Sequence, residues 1–292
     1  MKLSIVIPAY RSEQTITRCL EAFRAQDVPA EIVVVDSAPD GRSAQLASSV
    51  PGIHVLRSAE RLLPHAARNV GVRASHGNLV LFTDPDIYPE PGALRALLAA
   101  WDAAGGAIAA VLTTHGRAYV ERAMHLAKFD LWLAGSPARA VDVAPTCGLL
   151  CTRAAWEAVG GFREDLMLGD TVFCWALRES GVPIHLEPRA VFRHDHAGTW
   201  RGLLAERYAR GRELGGLRRA SARGRIATSW DVLATVTLVR PVRVTCRSVG
   251  NAWRAGLRRD AVLTLPVVAS GHLAWFAGEL AGMLVSAHGT KR

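Results

Sequence analysis

Through the first hundred residues, short β-branched and apolar runs alternate with amphipathic stretches. Residues 3–7, 31–35, 53–56 and 79–83 have the length and composition of buried strands. Between them, Ser12 opens a stretch in which Ile16, Leu20 and Phe23 recur on one helical face. Residues 66–74 and 91–100 predict two further helices, with Pro91 suited to a first turn. Strands alternating with helices imply an α/β fold, a parallel sheet covered on both faces. Ligands bind such sheets at the carboxyl ends of the strands. Polar residues cluster at those ends: Tyr10 after Pro8-Ala9, Asp36 after the second strand, and Asp84 after the fourth.

The second half predicts a strand over 107–112, a helix over 119–133 and a loop rich in Pro, Gly and Ala over 134–145. A strand (148–151), two helices (152–159 and 170–180) and a strand (184–193) follow. From Trp200 onward the pattern is helical and basic, with apolar stretches around 232–239 and 261–285.

The formal charge of +9 suggests a polyanionic partner until its distribution is considered. Between Arg201 and Arg259 fourteen arginines face three acids, Glu206, Glu213 and Asp231, a local balance of +11, so the remainder is slightly acidic. The densest part is Arg201, Arg207, Arg210, Arg212, Arg218, Arg219, Arg223 and Arg225. Diphosphate contacts, nucleic acid and an anionic membrane surface compete to explain it. No nucleic-acid module or aromatic interleaving accompanies it, which argues against nucleic acid. The 261–285 stretch is long enough to span a bilayer but is interrupted by Pro266, His272 and Glu279. An interfacial amphipathic helix with Arg anchors fits better; helices packed on the α/β domain or forming a homodimer are the alternative. The five cysteines are odd in number and scattered, so buried free thiols are expected. The opening apolar run is short and broken by Pro8, which reads as a strand and makes the cytoplasm the expected compartment.

Asp84 and Asp86 flank a proline directly after a buried strand. Two carboxylates so placed can face one hard cation whose open positions accept phosphate oxygens, as Mg²⁺ and Mn²⁺ prefer. The motif alone is common, and its alternative is a solvated turn; its strand-end position favours the site. Asp36 can accept hydrogen bonds from a base or ribose, or simply hold the turn into Pro39-Asp40-Gly41. Neither a G-x-G-x-x-G nor a G-x-x-x-x-G-K-[ST] pattern is present, which argues against a dinucleotide-binding dehydrogenase and a P-loop NTPase.

Several blocks together resemble the family 2 glycosyltransferases of GT-A fold. They are Ser4-Ile5-Val6-Ile7-Pro8-Ala9-Tyr10, Val33-Val34-Val35-Asp36, Ala66-Ala67-Arg68-Asn69-Val70-Gly71 and Phe82-Thr83-Asp84-Pro85-Asp86. Downstream, Cys147-Gly148-Leu149-Leu150-Cys151-Thr152-Arg153, Val159-Gly160-Gly161-Phe162-Arg163-Glu164 and Gly169-Asp170-Thr171-Val172-Phe173-Cys174-Trp175 continue the family's order. The resemblance implies a Rossmann-like, mixed but mainly parallel sheet flanked by helices over residues 1–215. Its nucleotide-binding half would be about 1–112 and its acceptor half 113–215, with a helical, basic extension over 216–292. It implies an inverting transferase using a nucleotide-sugar donor, most commonly a UDP-sugar, with Mg²⁺ or Mn²⁺. Pro8, Ala9 and Tyr10 would line the base pocket, Asp36 would bind the base, and Arg68 would approach the nucleotide with Asn69 supporting its loop. Asp84 would meet ribose or metal, Asp86 would be the main metal ligand, and Asp170 would be the general base. Chemistry supports that last role: in-line attack needs a carboxylate opposite the leaving diphosphate. An ordinary N-cap is the alternative reading of Asp170.

Departures from the family pattern sharpen the expectations. Gly169-Asp170 stands where the family has Glu-Asp, and Arg11 where it often has Asn. The Q-x-x-R-W signature of processive synthases is absent, Trp200-Arg201 being the nearest fragment, so single addition is expected. His194-Asp195-His196 follows a strand, and strand alternation would let both imidazoles point together. The resemblance implies that one of them, His194 as the better aligned, completes the metal shell or contacts the diphosphate, a surface histidine pair being the alternative. The acceptor is not legible; a lipid-linked one would suit membrane association. Two rivals are a sugar-phosphate nucleotidyltransferase, whose Gly-rich loop is missing here, and a degenerate membrane-docked scaffold.

Overall fold

The structure, a computed structural model, describes residues 2–116, 118–196, 198–220, 234 and 238–284. The chain forms two compact units, Met1–His115 with Ala134–Asp195, and Gly116–Leu133 with His196–Arg292. The boundary expected at 215 falls inside a continuous helix, Trp200–Ala220. The helical unit also takes in 116–133, read from sequence as part of the acceptor half. Long-range helix packing, invisible to local periodicity, draws that segment out.

The first unit holds one sheet. Its strands are β1 (Leu3–Ala9), β2 (Ala30–Asp36), β3 (Ile53–Arg57), β4 (Leu79–Phe82), β5 (Ile87–Pro89), β6 (Ala107–Thr113), β7 (Arg139–Ala140), β8 (Leu149–Thr152) and β9 (Ile184–His194). The order is β3-β2-β1-β4-β8-β6-β9-β5, with β7 also on β9. Strands β1, β2, β3 and β4 run parallel, as do β6 and β9, while β8 is antiparallel to both its neighbours. Every residue of β1 is buried, which explains its unbroken apolar run.

The helices are α1 (Ile16–Arg24), α2 (Arg42–Ser48), α3 (Pro64–Ala74), α4 (Ala93–Ala104), α5 (Tyr119–Phe129), α6 (Arg153–Ala158), α7 (Gly169–Glu179), α8 (Trp200–Ala220), α9 (Val239–Arg254), α10 (Arg258–Leu263) and α11 (Leu265–Leu284). On α1 the buried residues Ile16, Cys19, Leu20 and Phe23 follow the expected stripe. Helix α3 lies close on the sheet because Gly71 has no side chain: a Cβ there would run into Val6 and stand 3.3 Å from Val35 Cγ2. Arg153 at the start of α6 closes the end of α3, donating to the carbonyls of Val72 (2.7 Å), Ser75 (2.8 Å) and Gly77 (2.9 Å). Pro91 lies before the left-handed N-cap Gly92 of α4 rather than in its first turn.

In the helical unit, Ala123, Met124, Ala127, Leu203, Ala252, Val267 and Val268 form the core. Helices α8 and α11 meet backbone to backbone: a Cβ on Gly211 or Gly215 would strike the carbonyls of Trp275 and Glu279, and one on Gly278 or Gly282 those of Tyr208 and Arg212. Buried Glu279 receives Arg218 Nε (3.1 Å) and Arg240 (3.0 Å), and buried Asp130 receives Arg247 Nε (3.0 Å). Burial, with Arg207 and Arg247 nearby, pushes His272 down to about 3, so it stays neutral; its Nε2 lies 3.0 Å from Ser248 Oγ. The basic run is thus not one solvated face: Arg207 stacks on Trp275 (4.2 Å), Arg210 pairs with Glu206 (3.2 Å) and Arg218 with Glu279. Arg223, Arg225, most of 232–239 and Val285 lie outside the described residues. Helix α11 is long and apolar enough to cross a membrane, yet half of its most apolar window is buried inside the unit.

Candidate active site

The parallel register brings the carboxyl ends of β1, β2 and β4 to one edge, and the polar residues expected there meet. Pro8 and Ala9 end β1 opposite Val35 and Asp36 of β2. Tyr10 follows, with the Arg61 guanidinium 4.6 Å and the Arg11 guanidinium 5.6 Å from its ring centroid. Arg11 has φ 52°, in the left-handed region that Asn and Gly tolerate best. Asp36 is fully buried, and its oxygens accept from the amides of Ala38 (3.0 Å) and Ala44 (3.3 Å). The turn-holding reading of Asp36 is therefore realised; a base contact would use the remaining lone pairs.

Past β4 the two aspartates take different partners. Asp84 accepts from the buried guanidinium of Arg68, whose side chain is 3% exposed. Asp86 Oδ2 lies 3.1 Å from His194 Nε2 at the end of β9. Sheet register makes that pair: β5 runs antiparallel to β9 with Ile87 opposite His194, and the Asp195 amide donates to the Asp86 carbonyl (3.1 Å). Strand β9 stops at His194, so the alternation expected to align His196 with it does not apply. His196 instead lies with its Nε2 3.1 Å from His125 Nδ1 inside the helical unit.

Asp170 sits in the first turn of α7, where the helix dipole favours a carboxylate. Its Oδ1 accepts from the Thr171 amide (2.7 Å). Asn69 braces the approach to this helix, donating to the Phe162 carbonyl and to Glu164 Oε1 (both 2.9 Å) and accepting from the Phe162 amide (3.0 Å). One residue escaped the sequence reading. His65, buried in the first turn of α3, places Nδ1 3.4 Å from Arg68 and Nε2 3.2 Å from the Asp170 amide.

The buried Cys147 thiol lies within electrostatic reach of these groups. Burial raises it well above its ordinary range, and Asp84, Asp86 and Asp170 raise it further while Arg68 opposes them. The expected metal trio Asp84, Asp86 and His194 is not assembled: among the described residues no group of three or more His, Cys, Asp or Glu is arranged to hold a metal. The reason is local, since Asp84 is engaged by Arg68. The Asp86–His194 pair does fit a divalent cation, because a carboxylate and an imidazole suit Mn²⁺ and substrate oxygens would supply the remaining ligands. Thr83 Oγ1 and Arg68 Nε are buried beside Asp84 without a hydrogen-bond partner among the described residues.

Residues 4–148 match the family model described as glycosyl transferase family 2. A pre-mycofactocin glycosyltransferase of Mycobacterium tuberculosis is 30% identical over 216 residues, 70% of this chain but only 45% of that relative's length. Among solved structures, the mannosyltransferase PcManGT from Pyrobaculum calidifontis, in complex with GDP-Man and Mn²⁺, superposes with a TM-score of 0.66 at 20% identity, covering 97% of this chain and 87% of that one. Residues 1–349 of TarS from S. aureus, in complex with UDP-GlcNAc, give 0.54 at 16% identity, covering 93% and 90%. The superpositions establish the GT-A fold, a mixed, mainly parallel sheet flanked by helices. With the sequence blocks in family order on that fold, this chain belongs to glycosyltransferase family 2.

Proposed function

We propose that the chain is an inverting glycosyltransferase that moves a sugar from a UDP-sugar to one acceptor hydroxyl with the help of Mg²⁺ or Mn²⁺. The observation that carries this reading is the line of contacts from Asp84 through Arg68 and His65 to Asp170, beside the Asp86–His194 pair. Pro8, Ala9 and Tyr10, with Asp36 holding the turn behind them, would receive the base. Arg68 would face the nucleotide, and Asp86 and His194 would hold the cation. When bound, that cation supplies charge neutralisation of the departing diphosphate. The acceptor oxygen attacks the anomeric carbon from the face opposite the diphosphate, and the carbon–oxygen bond to the diphosphate breaks. Configuration inverts, the acceptor proton passes to the Asp170 carboxylate, and the electron pair leaves with the diphosphate. The rival nucleotidyltransferase reading lacks its Gly-rich loop, since residues 8–12 contain no glycine.

Calorimetry tests the binding half. UDP is expected to bind in the micromolar range and at least about tenfold more tightly with Mn²⁺, a gain of about 1.4 kcal/mol. Tighter binding of GDP would change only the nucleotide. Failure of UDP, GDP and dTDP to bind with or without metal would remove the transferase reading.

The helical unit supports the second part of the proposal, docking on an anionic membrane that would present a lipid-linked acceptor. Val239, Val242, Trp253, Val262 and Leu263 are exposed on α9 and α10, alongside exposed Arg243, Arg254, Arg258 and Arg259. Apolar side chains flanked by guanidiniums match a surface of acyl chains and phosphates, at about 1 kcal/mol for each arginine near the surface. The protein should sediment with phosphatidylglycerol-containing vesicles and be released by high salt. Equal sedimentation with purely zwitterionic vesicles would refute the electrostatic docking.

A further inference from the structure

We infer that His65 is a positioning residue that fixes the start of α7, and with it Asp170, and that Gly169 is the residue that admits its ring. This rests on the transferase reading of Asp170.

The ring fills the space a side chain at 169 would need. A Cβ added to Gly169 would stand 2.6 Å from His65 Cδ2, 2.7 Å from Cγ and 3.0 Å from the Arg163 carbonyl. The ring cannot readily retreat. It is 3% exposed and stacks on Phe162 with centroids 5.1 Å apart, and Phe162 is itself packed against Phe82 (4.8 Å) and Phe173 (4.3 Å). With the imidazole in this place, residue 169 has no room for a side chain.

Hydrogen-bond chemistry gives the ring its task. Nε2 lies 3.4 Å from the Met167 carbonyl and 3.2 Å from the Asp170 amide, and Nδ1 lies 3.4 Å from Arg68 NH1. A neutral imidazole has one donor and one acceptor nitrogen. With the proton on Nε2 the ring donates to Met167 and accepts from Arg68; with the proton on Nδ1 it accepts from the Asp170 amide instead. Either tautomer ties the 167–170 backbone to the ring. Arg68 and the Asp170 amide can each only donate, so the two tautomers divide the ring between them: the first links the base-bearing loop, through Met167, to the guanidinium on Asp84, and the second takes the Asp170 amide directly. Supporting contacts of this kind hold a reacting group within the few tenths of an ångström that catalysis requires.

His65→Phe tests this, since it keeps the ring volume and the stacking but removes both nitrogens. The readouts are kcat and KM with whichever of UDP-glucose, UDP-GlcNAc and GDP-mannose the wild type turns over, the unfolding midpoint, and amide hydrogen exchange of residues 167–172. A fall in kcat of about 10- to 100-fold is expected, with KM for the donor within about threefold, an unchanged midpoint and faster exchange in 167–172. His65→Gln, whose amide can restore one bond, should recover part of kcat; it also serves if the Phe variant fails to fold. Gly169→Ala should lose activity by crowding the ring, and His65→Ala with Gly169→Ala should be less impaired than the sum of the two single changes. Wild-type kcat and exchange in His65→Phe, or strict additivity in the double variant, would overturn the assignment. If the wild type turns over none of the three donors, the choice of donor is what fails. Hydrogen exchange then decides the role of His65 alone, and unchanged protection of 167–172 in His65→Phe overturns it.

Discussion

Asp170→Asn should abolish sugar transfer, lowering kcat by about 10²- to 10⁴-fold, the usual contribution of a general base, while UDP and Mn²⁺ still bind. The substitution is well matched to the question. Asp170 Oδ1 accepts from the Thr171 amide at 2.7 Å, and an asparagine oxygen can keep that bond, so the first turn of α7 should not unravel. The change also removes a negative charge from the amino end of a helix, which costs only a few tenths to about 1 kcal/mol of stability. What disappears is the acceptor for the proton released as the glycosidic bond forms. The N-cap position of α7 belongs to Leu168, so the N-cap reading of Asp170 does not hold and what competes with a base is a first-turn carboxylate that only stabilises the helix. Such a carboxylate would shift the unfolding midpoint and leave kcat nearly unchanged; a base does the reverse. Donor turnover surviving in Asp170→Asn at wild-type rate would strip Asp170 of its role while leaving the nucleotide site intact.

The sequence revealed the parts of this molecule whose residue pattern is local. Strands β1 and β4 and all but the first two residues of β2 are buried, so their apolar runs are nearly continuous and easily read. The strand ends then located Tyr10, Asp36 and Asp84 at one edge. Strand β5 was not legible, because Ile87–Pro89 is too short to show alternation and exists only through its pairing with β9. That pairing is also what puts Asp86 beside His194, so the partner of the aspartate could be proposed from sequence but its geometry could not. Helix α5 reads clearly as a helix, yet nothing local says that Ala123, Met124 and Ala127 pack with Leu203, Ala252 and Val268 rather than with the sheet. His65 was missed for a related reason. It lies just before the stretch read as a helix, and a histidine next to Pro64 carries no pattern of its own. Its one sequence trace was elsewhere, in the missing side chain at Gly169.

The two aspartates after β4 should separate by their response to metal. Asp86→Asn is expected to lower Mn²⁺-stimulated transfer by about 10³-fold, the several kcal/mol that a cation on a leaving diphosphate provides, and to flatten the dependence of UDP binding on Mn²⁺. Asp84→Asn should leave most of that metal dependence in place and weaken nucleotide binding both with and without Mn²⁺. The asymmetry follows from the partners. Asp86, whose side chain is 35% exposed, stands beside His194, so its carboxylate can meet an arriving cation next to the imidazole. Asp84 instead neutralises Arg68, a guanidinium whose side chain is 3% exposed and which would be an uncompensated buried charge without it. Removing the Asp84 charge therefore disturbs the arginine before it disturbs any metal. His194→Ala should fall between the two, costing about 10- to 100-fold in Mn²⁺ affinity and leaving Asp86 as a single weak ligand. If Asp84→Asn proves the more damaging to the Mn²⁺ response, the cation belongs with Asp84 and the Arg68 contact must open to receive it. The Asp86–His194 pair would then be a structural link between β5 and β9, and His194→Ala would change stability without changing the metal response.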